Sequence, residues 1–383
     1  MKFKCQATEL LSALKTVQSV VDARPIRPIY ECVRIDAEDQ WIRVTGGNSE
    51  QQITVRMDAT IKETGSVAVP LKVIVGYISA INDEVEIVSD KRGAISIKAG
   101  SLKAAVAGQD VNDYSIIKLE YDPLFTANAY AFANAISSVS FAIGSDTSAV
   151  KRILCSAHVE VDGGGRGTIV AISDKKLGKY CFSANMLSEY PVQMNVPSSV
   201  IKPLCSVLQG QESFSCMIEN HVVMIETETR TFVFPEVAGT YVEWERVLTN
   251  VKQDKFARAN IKALSDAIRF SGVSGKNGET FLALLHFDKD AQKMTMSSRG
   301  VISDSKAEIP VEYNGESIDI AFDVRVLQDA VNFCASTGAE DVEIGMSLPA
   351  YTASVKPVGC SADCIAAVAP VRTQPTTGYS KNE

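Results

Sequence analysis

Histidine and tryptophan are scarce in this chain, at three and two among 383 residues. No apolar run approaches the ~18 residues that a membrane span requires. His158, His221 and His286 stand apart, and none has a His, Cys or carboxylate partner at helical ligand spacing, so no metal centre is expected. Also missing are a Gly-x-Ser-x-Gly elbow, a His-Glu-x-x-His pair and a Gly-Lys-Ser/Thr phosphate loop. The chain is therefore expected to be no enzyme and to need no cofactor. The nine cysteines are odd in number and never spaced Cys-x-x-Cys; Cys360 and Cys364 lie closest and lack a second pair. Reduced thiols of a cytoplasmic protein are expected, each packing as a small hydrophobe. Lys2 and Lys4 open the chain, but Gln6, Thr8 and Glu9 interrupt any signal-peptide core. An excess of basic charge is absent too. Lys plus Arg total 38 against 46 for Asp plus Glu, a net charge of −8, which excludes coating nucleic acid or membrane by bulk charge but leaves room for a locally basic surface.

What is present is ordinary globular composition, with 46% hydrophobic and 22% charged residues, and a length that predicts several domains. A repeat organises it. Val69-Pro70-Leu71-Lys72-Val73-Ile74, continued by Ile78 and Ile81, has the apolar spacing of a helix; Val196-Pro197-Ser198-Ser199-Val200-Ile201 and Phe322-Asp323-Val324-Arg325-Val326-Leu327 return the pattern 127 and then 126 residues later. Each copy lies between alternating, strand-like stretches such as Ser66–Val69 and Glu84–Val88. A second helical stripe also occurs three times, at Leu10-Leu14-Val17, at Phe132-Ile136-Val139 and at Ile261-Leu264-Ile268.

The expected helices cover 9–21, 71–81, 127–143, 199–208, 258–270 and 323–334, separated by short strands and turns. Glu160–Thr168, with its run of glycines, reads as a hairpin. The expected fold class is α+β: three similar units, each with two helices on antiparallel sheets. The expected extents are 1–121, 122–251 and 252–373, followed by a polar tail, 374–383. The helical segments together carry +3, so the rest of the chain carries −11, and positive charge is concentrated on the helices.

The opening Met1-Lys2-Phe3, the segment Arg24-Pro25-Ile26-Arg27-Pro28-Ile29, the Val-Pro helix starts and Tyr241-Val242-Glu243-Trp244-Glu245-Arg246-Val247-Leu248, in this order and spacing, resemble the bacterial beta sliding clamps, the processivity subunit of DNA polymerase III. The similarity extends from residue 1 to about 373. The resemblance implies a head-to-tail homodimer whose six domains form a ring, with helices lining a hole that holds duplex DNA and sheets outside. It implies phosphate contacts at Arg24 and Lys72, with Lys151, Arg152 and Lys202 as further inner-surface candidates. It also implies a cleft for short peptides of polymerase and clamp loader, walled by Leu154, Ile172, Leu177, Val242, Arg246, Val247, Ser354, Val368, Ala369, Pro370, Val371 and Arg372.

Three departures fall in that cleft. Ile172-Ser173-Asp174-Lys175-Lys176-Leu177 replaces the usual Thr-Asp-Gly-His-Arg-Leu, Val242 replaces a proline, and Ala369-Pro370-Val371 replaces Met-Pro-Met, so partner preference is expected to differ. For the subunit contact the resemblance points to Tyr77, Ile78 and the strand 101–107, including Ala104, Ala105 and Val106, against Phe270 and Val273. The alternative is a peptide-binding scaffold of the same fold that does not encircle DNA.

Overall fold

The computed structural model describes residues 1–22, 24–90, 92–118, 122–145, 152–249, 253–274, 281–300 and 303–372. The expected boundaries at 121/122 and 251/252 meet or fall within the residues outside this set; Lys151 and the tail 374–383 also lie outside it.

One order of elements recurs three times. The first unit runs β1 (Lys2–Gln6), α1 (Ala7–Gln18), β2 (Cys32–Glu38), β3 (Trp41–Gly47), β4 (Gln52–Asp58), β5 (Thr60–Glu63), β6 (Gly65–Pro70), α2 (Leu71–Ile78), β7 (Glu84–Ser89), β8 (Ile95–Ala99) and β9 (Leu102–Val106). The second runs β10 (Phe125–Asn128), α3 (Ala129–Val139), β11 (Ser156–Val161), β12 (Arg166–Ile172), β13 (Lys176–Met186), β14 (Val192–Pro197), α4 (Ser198–Leu208), β15 (Ser213–Glu219), β16 (Val222–Glu226) and β17 (Arg230–Pro235). A short helix, α5 (Trp244–Thr249), precedes the third: β18 (Lys255–Asn260), α6 (Ile261–Ser274), β19 (Leu282–Asp288), β20 (Lys293–Arg299), β21 (Asp304–Pro310), β22 (Glu312–Tyr313), β23 (Ile318–Asp323), α7 (Val324–Ser336), β24 (Asp341–Met346), β25 (Ala353–Pro357) and β26 (Cys364–Val368).

The six long helices stand where the apolar spacing predicts. α1 buries Leu10, Leu14 and Val17 on one face, and α7 buries Leu327, Val331 and Cys334. Asn128 caps α3 by accepting from the Ala131 N–H at 2.9 Å, and Asn260 serves α6 through Ala263 at 3.2 Å. The segment expected to be helical over 71–81 ends at Ile78, where the Ser79 N–H bonds back to Val75 and the chain turns into β7. Glycine shapes the hairpin expected at 160–168: Gly165 takes a φ of +81°, and a Cβ there would meet the Ala184 carbonyl oxygen at 2.3 Å.

Each unit contains two antiparallel sheets of four principal strands, with β5 added beside β1 in the first unit and β22 beside β18 in the third. The first-half sheets are ordered β6-β2-β3-β4, β14-β11-β12-β13 and β23-β19-β20-β21. The second-half sheets are β1-β7-β8-β9, β10-β15-β16-β17 and β18-β24-β25-β26. The last strand of a first-half sheet pairs with the last strand of the next unit's second-half sheet: β4 with β17, and β13 with β26. The sheets thereby join across the unit boundaries. The helices form a row on the other side of the core, in the packing order α2, α1, α4, α3, α7, α6. At the contact of α3 and α7, Ser138 and Ser336 share a hydrogen bond of 2.9 Å.

The core of the second unit centres on Phe132, fully buried, with ring centroids 5.1 Å from Phe182 and 4.9 Å from Phe214. Truncating Phe132 to Ala leaves a cavity among rings that cannot collapse into it. The expected cost is about 3–5 kcal/mol in urea or guanidinium unfolding followed by circular dichroism.

Candidate functional site

The β12–β13 hairpin, closed by the Ser173 N–H donating to the Lys176 carbonyl at 2.9 Å, stands at the junction of the second and third units. Behind it lies a small apolar cluster separate from the main core. Val170, Leu177, Tyr241, Trp244 and Ala367 are buried there, and Ile153, Leu154, Ile172, Val247 and Leu248 pack on it half-buried. Leu177 and Ala367 share a face because they are cross-strand partners in the β13–β26 ladder. Two depressions flank the hairpin. The larger, about 230 Å³, is lined by Gly144, Ser145, Leu154 and Val326 together with the hairpin tip. The smaller, about 60 Å³, is lined by Ile172, Leu177, Val247, Thr352, Ala367 and Ala369 and the same tip.

Polar groups beneath fix the shape of this groove. The Tyr241 hydroxyl accepts from the Ile172 N–H at 3.2 Å and donates to the Ser156 carbonyl at 3.3 Å. Burial raises the Tyr241 phenol well above its usual range, so it stays a neutral donor. Its ring stacks on His158, with centroids 4.8 Å apart. His158 Nδ1 lies 2.8 Å from Asn195 Oδ1, while Asn195 Nδ2 donates to the Val237 and Gly239 carbonyls at 3.1 and 3.0 Å. Because the Asn195 amide nitrogen is committed to carbonyls, its oxygen must accept, which places a proton on His158 Nδ1, while Nε2 lies 3.6 Å from the Glu160 carboxylate. His158 is thus a positioning residue for the loop that leads into α5. His221 and His286 form separate contacts with Glu236 and Asp319.

The cleft residues expected from the sequence divide by burial. Leu154, Ile172, Val247, Ala369 and Pro370 are half-buried along the groove, and Val242, Arg246 and Arg372 are exposed at its rim. Leu177 and Ser354 are only 1% exposed and belong to the floor. Val368 is a correction: strand alternation turns it away from Ala367 into the main core, so it offers the groove no surface. Val371 is half-buried, its N–H donating to the Ala321 carbonyl at 2.8 Å. Arg246 is paired with Glu243, and Lys176 with Asp329 at 2.7 Å while lying over the Phe141 ring. Tyr241 and Trp244, although quoted in the sequence motif, were not expected to be groove residues. Two large aromatic residues three positions apart, followed by Val247 and Leu248, were the available signal.

Along the helix row, Arg24, Lys72 and Lys202 are exposed, as is Arg152 in the short turn Arg152–Cys155. Lys15 on α1 and Lys262 on α6 are exposed as well and were not singled out from sequence. By contrast, Arg269 is paired with Asp266, and Arg325 with Asp323 at 2.7 Å. Of the expected contact residues between subunits, Tyr77, Phe270 and Val273 are exposed, Ala105 is exposed and Ala104 half-buried. Ile78 and Val106 are corrections. Ile78 is on the same helical face as Leu71 and Ile74, Val106 is on the inward face of β9, and both are buried in their own unit's core. Among the described residues no three His, Cys, Asp or Glu side chains gather as a metal site, and no helix is long and apolar enough to cross a membrane.

Comparison with known proteins agrees with this architecture. Residues 1–118 match the family model of the DNA polymerase III beta subunit, N-terminal domain. The chain superposes on the DNA polymerase III subunit beta of Pseudomonas aeruginosa bound to griselimycin with a TM-score of 0.89 at 24% identity, covering 97% of this chain and 100% of that one. This chain has the sliding-clamp fold. The sliding clamp of Bacillus subtilis gives a TM-score of 0.88 at 18% identity, covering 98% and 100%. In sequence, the chain is 25% identical to the beta sliding clamp of Pseudomonas aeruginosa over 353 residues, covering 91% of this chain and 93% of the relative. The beta sliding clamp of Staphylococcus aureus is 20% identical over 343 residues, covering 86% and 89%. The resemblance found in the sequence therefore extends over nearly the whole chain.

Replacing Tyr241 with Phe keeps the stacked ring but strands the Ile172 N–H and the Ser156 carbonyl. The expected loss is about 1–3 kcal/mol. Hydrogen exchange at the Ile172 amide should accelerate while amides of β19 and β20 keep their protection.

Proposed function

We propose that this chain is a DNA sliding clamp: a cytoplasmic, non-catalytic processivity factor that closes into a homodimeric ring around duplex DNA and tethers a replicative polymerase. The proposed domains are 1–121, 122–251 and 252–373. The observation that carries the reading is the repeated edge pairing. In each of the two intrachain junctions, the last strand of a first-half sheet meets the last strand of the following second-half sheet. One edge of each kind is left over, β21 in the third unit and β9 in the first. A contact that joins unlike edges is heterologous, and repetition of it either closes a ring or continues as a filament. Two chains with three units each give the six-domain ring that the family resemblance implies.

The register of the missing junction follows from the other two. The hairpins preceding β4, β13 and β21 have one length, closed by Asn48 to Gln51, Ser173 to Lys176 and Gly300 to Ser303 bonds of 2.8, 2.9 and 2.9 Å. The Arg56 N–H donates to the Thr229 carbonyl at 2.8 Å, and in the equivalent place the Cys181 N–H donates to Asp363 at 3.0 Å. Counting along the ladders, Glu308 is the counterpart of Arg56 and Cys181, and Ser101 that of Thr229 and Asp363. Closure therefore pairs Ser101 with Glu308 of a second copy, Leu102 with Ala307, Lys103 with Lys306 and Ala104 with Ser305. Lys103 would then stand directly opposite Lys306, a like-charge pair offset by the diagonal neighbours Asp304 and Glu308, the latter already paired with Lys306 at 2.7 Å. On the inward face, α2 packs behind β9 and α6 behind β21. The exposed Val73 and Tyr77 would meet the exposed Phe270 and Val273, whose exposures are 43, 45, 58 and 59%.

In such a ring the helix row faces the duplex. Arg24, Lys72, Lys202, Lys15 and Lys262 have no ion pair among the described residues and are free to meet phosphates, with Arg152 at the margin; Lys151, proposed with them, lies outside the described residues. Contacts of this kind are screened and independent of base sequence. Retention comes from enclosure, and a tethered polymerase stays at high effective concentration near the primer end. The groove suits a short linear peptide with aliphatic or aromatic anchors from a polymerase or clamp loader, with Val247, Leu154 and Ile172 as walls and Arg246, Lys175 and Arg372 orienting its polar groups.

Two measurements test this. Loaded on a nicked circular plasmid by a compatible clamp loader, the protein should remain bound and then leave when the plasmid is cut; equal retention on circle and linear DNA favours the peptide-binding scaffold that does not encircle DNA. For the register, Leu102 and Ala307 form a non-hydrogen-bonded pair, the close kind that suits a disulfide. A chain carrying both Leu102→Cys and Ala307→Cys should cross-link into a dimer under mild oxidation, and either substitution alone should not. Cross-linking at a neighbouring register instead would overturn the pairing.

A further inference from the structure

The sequence suggested nine unremarkable thiols, but one pair is placed for chemistry. Cys360 Sγ and Cys364 Sγ lie 4.0 Å apart, across the turn that joins β25 to β26. Gly359 opens that turn with a φ of +76°. The two thiols differ in access. Cys364 begins β26 and is 6% exposed, and burial holds its thiol well above the usual range, whereas Cys360 is half-buried at the surface of the core. The turn is also a fastener. Asp363, between the two cysteines, accepts the Cys181 N–H through its carbonyl at 3.0 Å, and its carboxylate binds Lys179 at 2.9 Å and Arg166. All three partners belong to the second unit, so the turn clips the third unit to it.

We propose that Cys360 and Cys364 form a peroxide-sensitive redox site, convertible to an intraturn disulfide that locks this clip. In the first step hydrogen peroxide oxidises the accessible Cys360 thiol to a sulfenic acid, and one water leaves. In the second, Cys364 sulfur attacks Cys360 sulfur, the S–O bond breaks, and the hydroxyl departs with the Cys364 proton as a second water. In total two thiols lose two electrons and two protons to one peroxide, which becomes two waters. The sulfurs must close by about 2 Å to reach bonding distance, a displacement within the range of side-chain rotation in a turn. Cys334 on α7 is buried nearby and shielded, so it is not the partner expected to react.

The reduced full-length protein is titrated with hydrogen peroxide, quenched, alkylated and mapped by mass spectrometry. Expected is a peptide containing both Cys360 and Cys364, lighter by about 2 Da, formed before any other cysteine changes and restored by dithiothreitol. Cys360→Ser should abolish it and leave Cys364 reduced, while Cys334→Ser should leave it intact. Circular dichroism checks that each variant is folded. Conversion of Cys360 to sulfinic acid without linkage, or its pairing with Cys181 or Cys334, would overturn the proposal.

Discussion

The structure depends on a main-chain ladder between two strand edges that belong to different units. At β4–β17 and at β13–β26 the same edges meet in the same register, and each junction converts two exposed rows of N–H and C=O groups into hydrogen bonds. The helix row, the outer sheets and the groove all take their positions from this. Packing one unit onto the next through β-strands keeps the helices on the opposite side of the core, where α1 meets α4 and α3 meets α7. The groove at the second junction is a by-product of the same ladder. β26 sits beside β13, so Ala367 completes an apolar surface begun by Leu177 and Val170.

That dependence explains which parts of the molecule were legible in the sequence. The six helices were readable because each buries one stripe against a sheet, and a stripe such as Leu10-Leu14-Val17 has a period that local sequence records. The threefold repeat was readable for the same reason. The edge role of β21 was not, since Asp304–Pro310 alternates like any half-exposed strand and only the other two junctions identify it as an open edge. Ile78 and Val106 were misassigned to a subunit contact because sequence adjacency to exposed Tyr77 and Ala105 says nothing of facing, whereas helical and strand periodicity turns both inward. The groove was legible only through family resemblance, and its supporting network of His158, Asn195 and Tyr241 joins residues 37 to 83 positions apart, beyond the reach of any local pattern.

Charge follows the same partition. A chain of net charge −8 presents a row of helices whose Lys15, Lys72, Lys202 and Lys262 have no acidic partner among the described residues, while acidic side chains are spent on pairs in the strands, as in Glu84 with Lys4 and Glu308 with Lys293. Such surface pairs contribute little to stability. In the proposed ring they would also remove strand lysines from competition for an anionic duplex, leaving the unpaired cations on the helices.

The closing junction of the proposed ring would differ physically from the two within the chain. Inside one polypeptide the ladder forms between strands already tethered, so its main-chain bonds need offset only the ordering of a linker. Between two chains the same ladder must also offset the loss of translational and rotational freedom, a cost of several kcal/mol that hydrogen bonds exchanged with water repay poorly. Additional apolar burial is required there, and the free edges carry it. Val73 and Tyr77 behind β9, and Phe270 and Val273 behind β21, are exposed, whereas the intrachain contact of α3 with α7 is made partly by a pair of serine hydroxyls. The second intrachain junction has apolar packing of its own, with Phe333 of α7 5.6 Å from Phe141 and 6.3 Å from Tyr180, but there it is already covered, whereas the edges without a covalent tether leave theirs exposed. In the proposed ring each of the two subunit interfaces would have to hold the ring shut, and these would be the seams that open without breaking a covalent link between units.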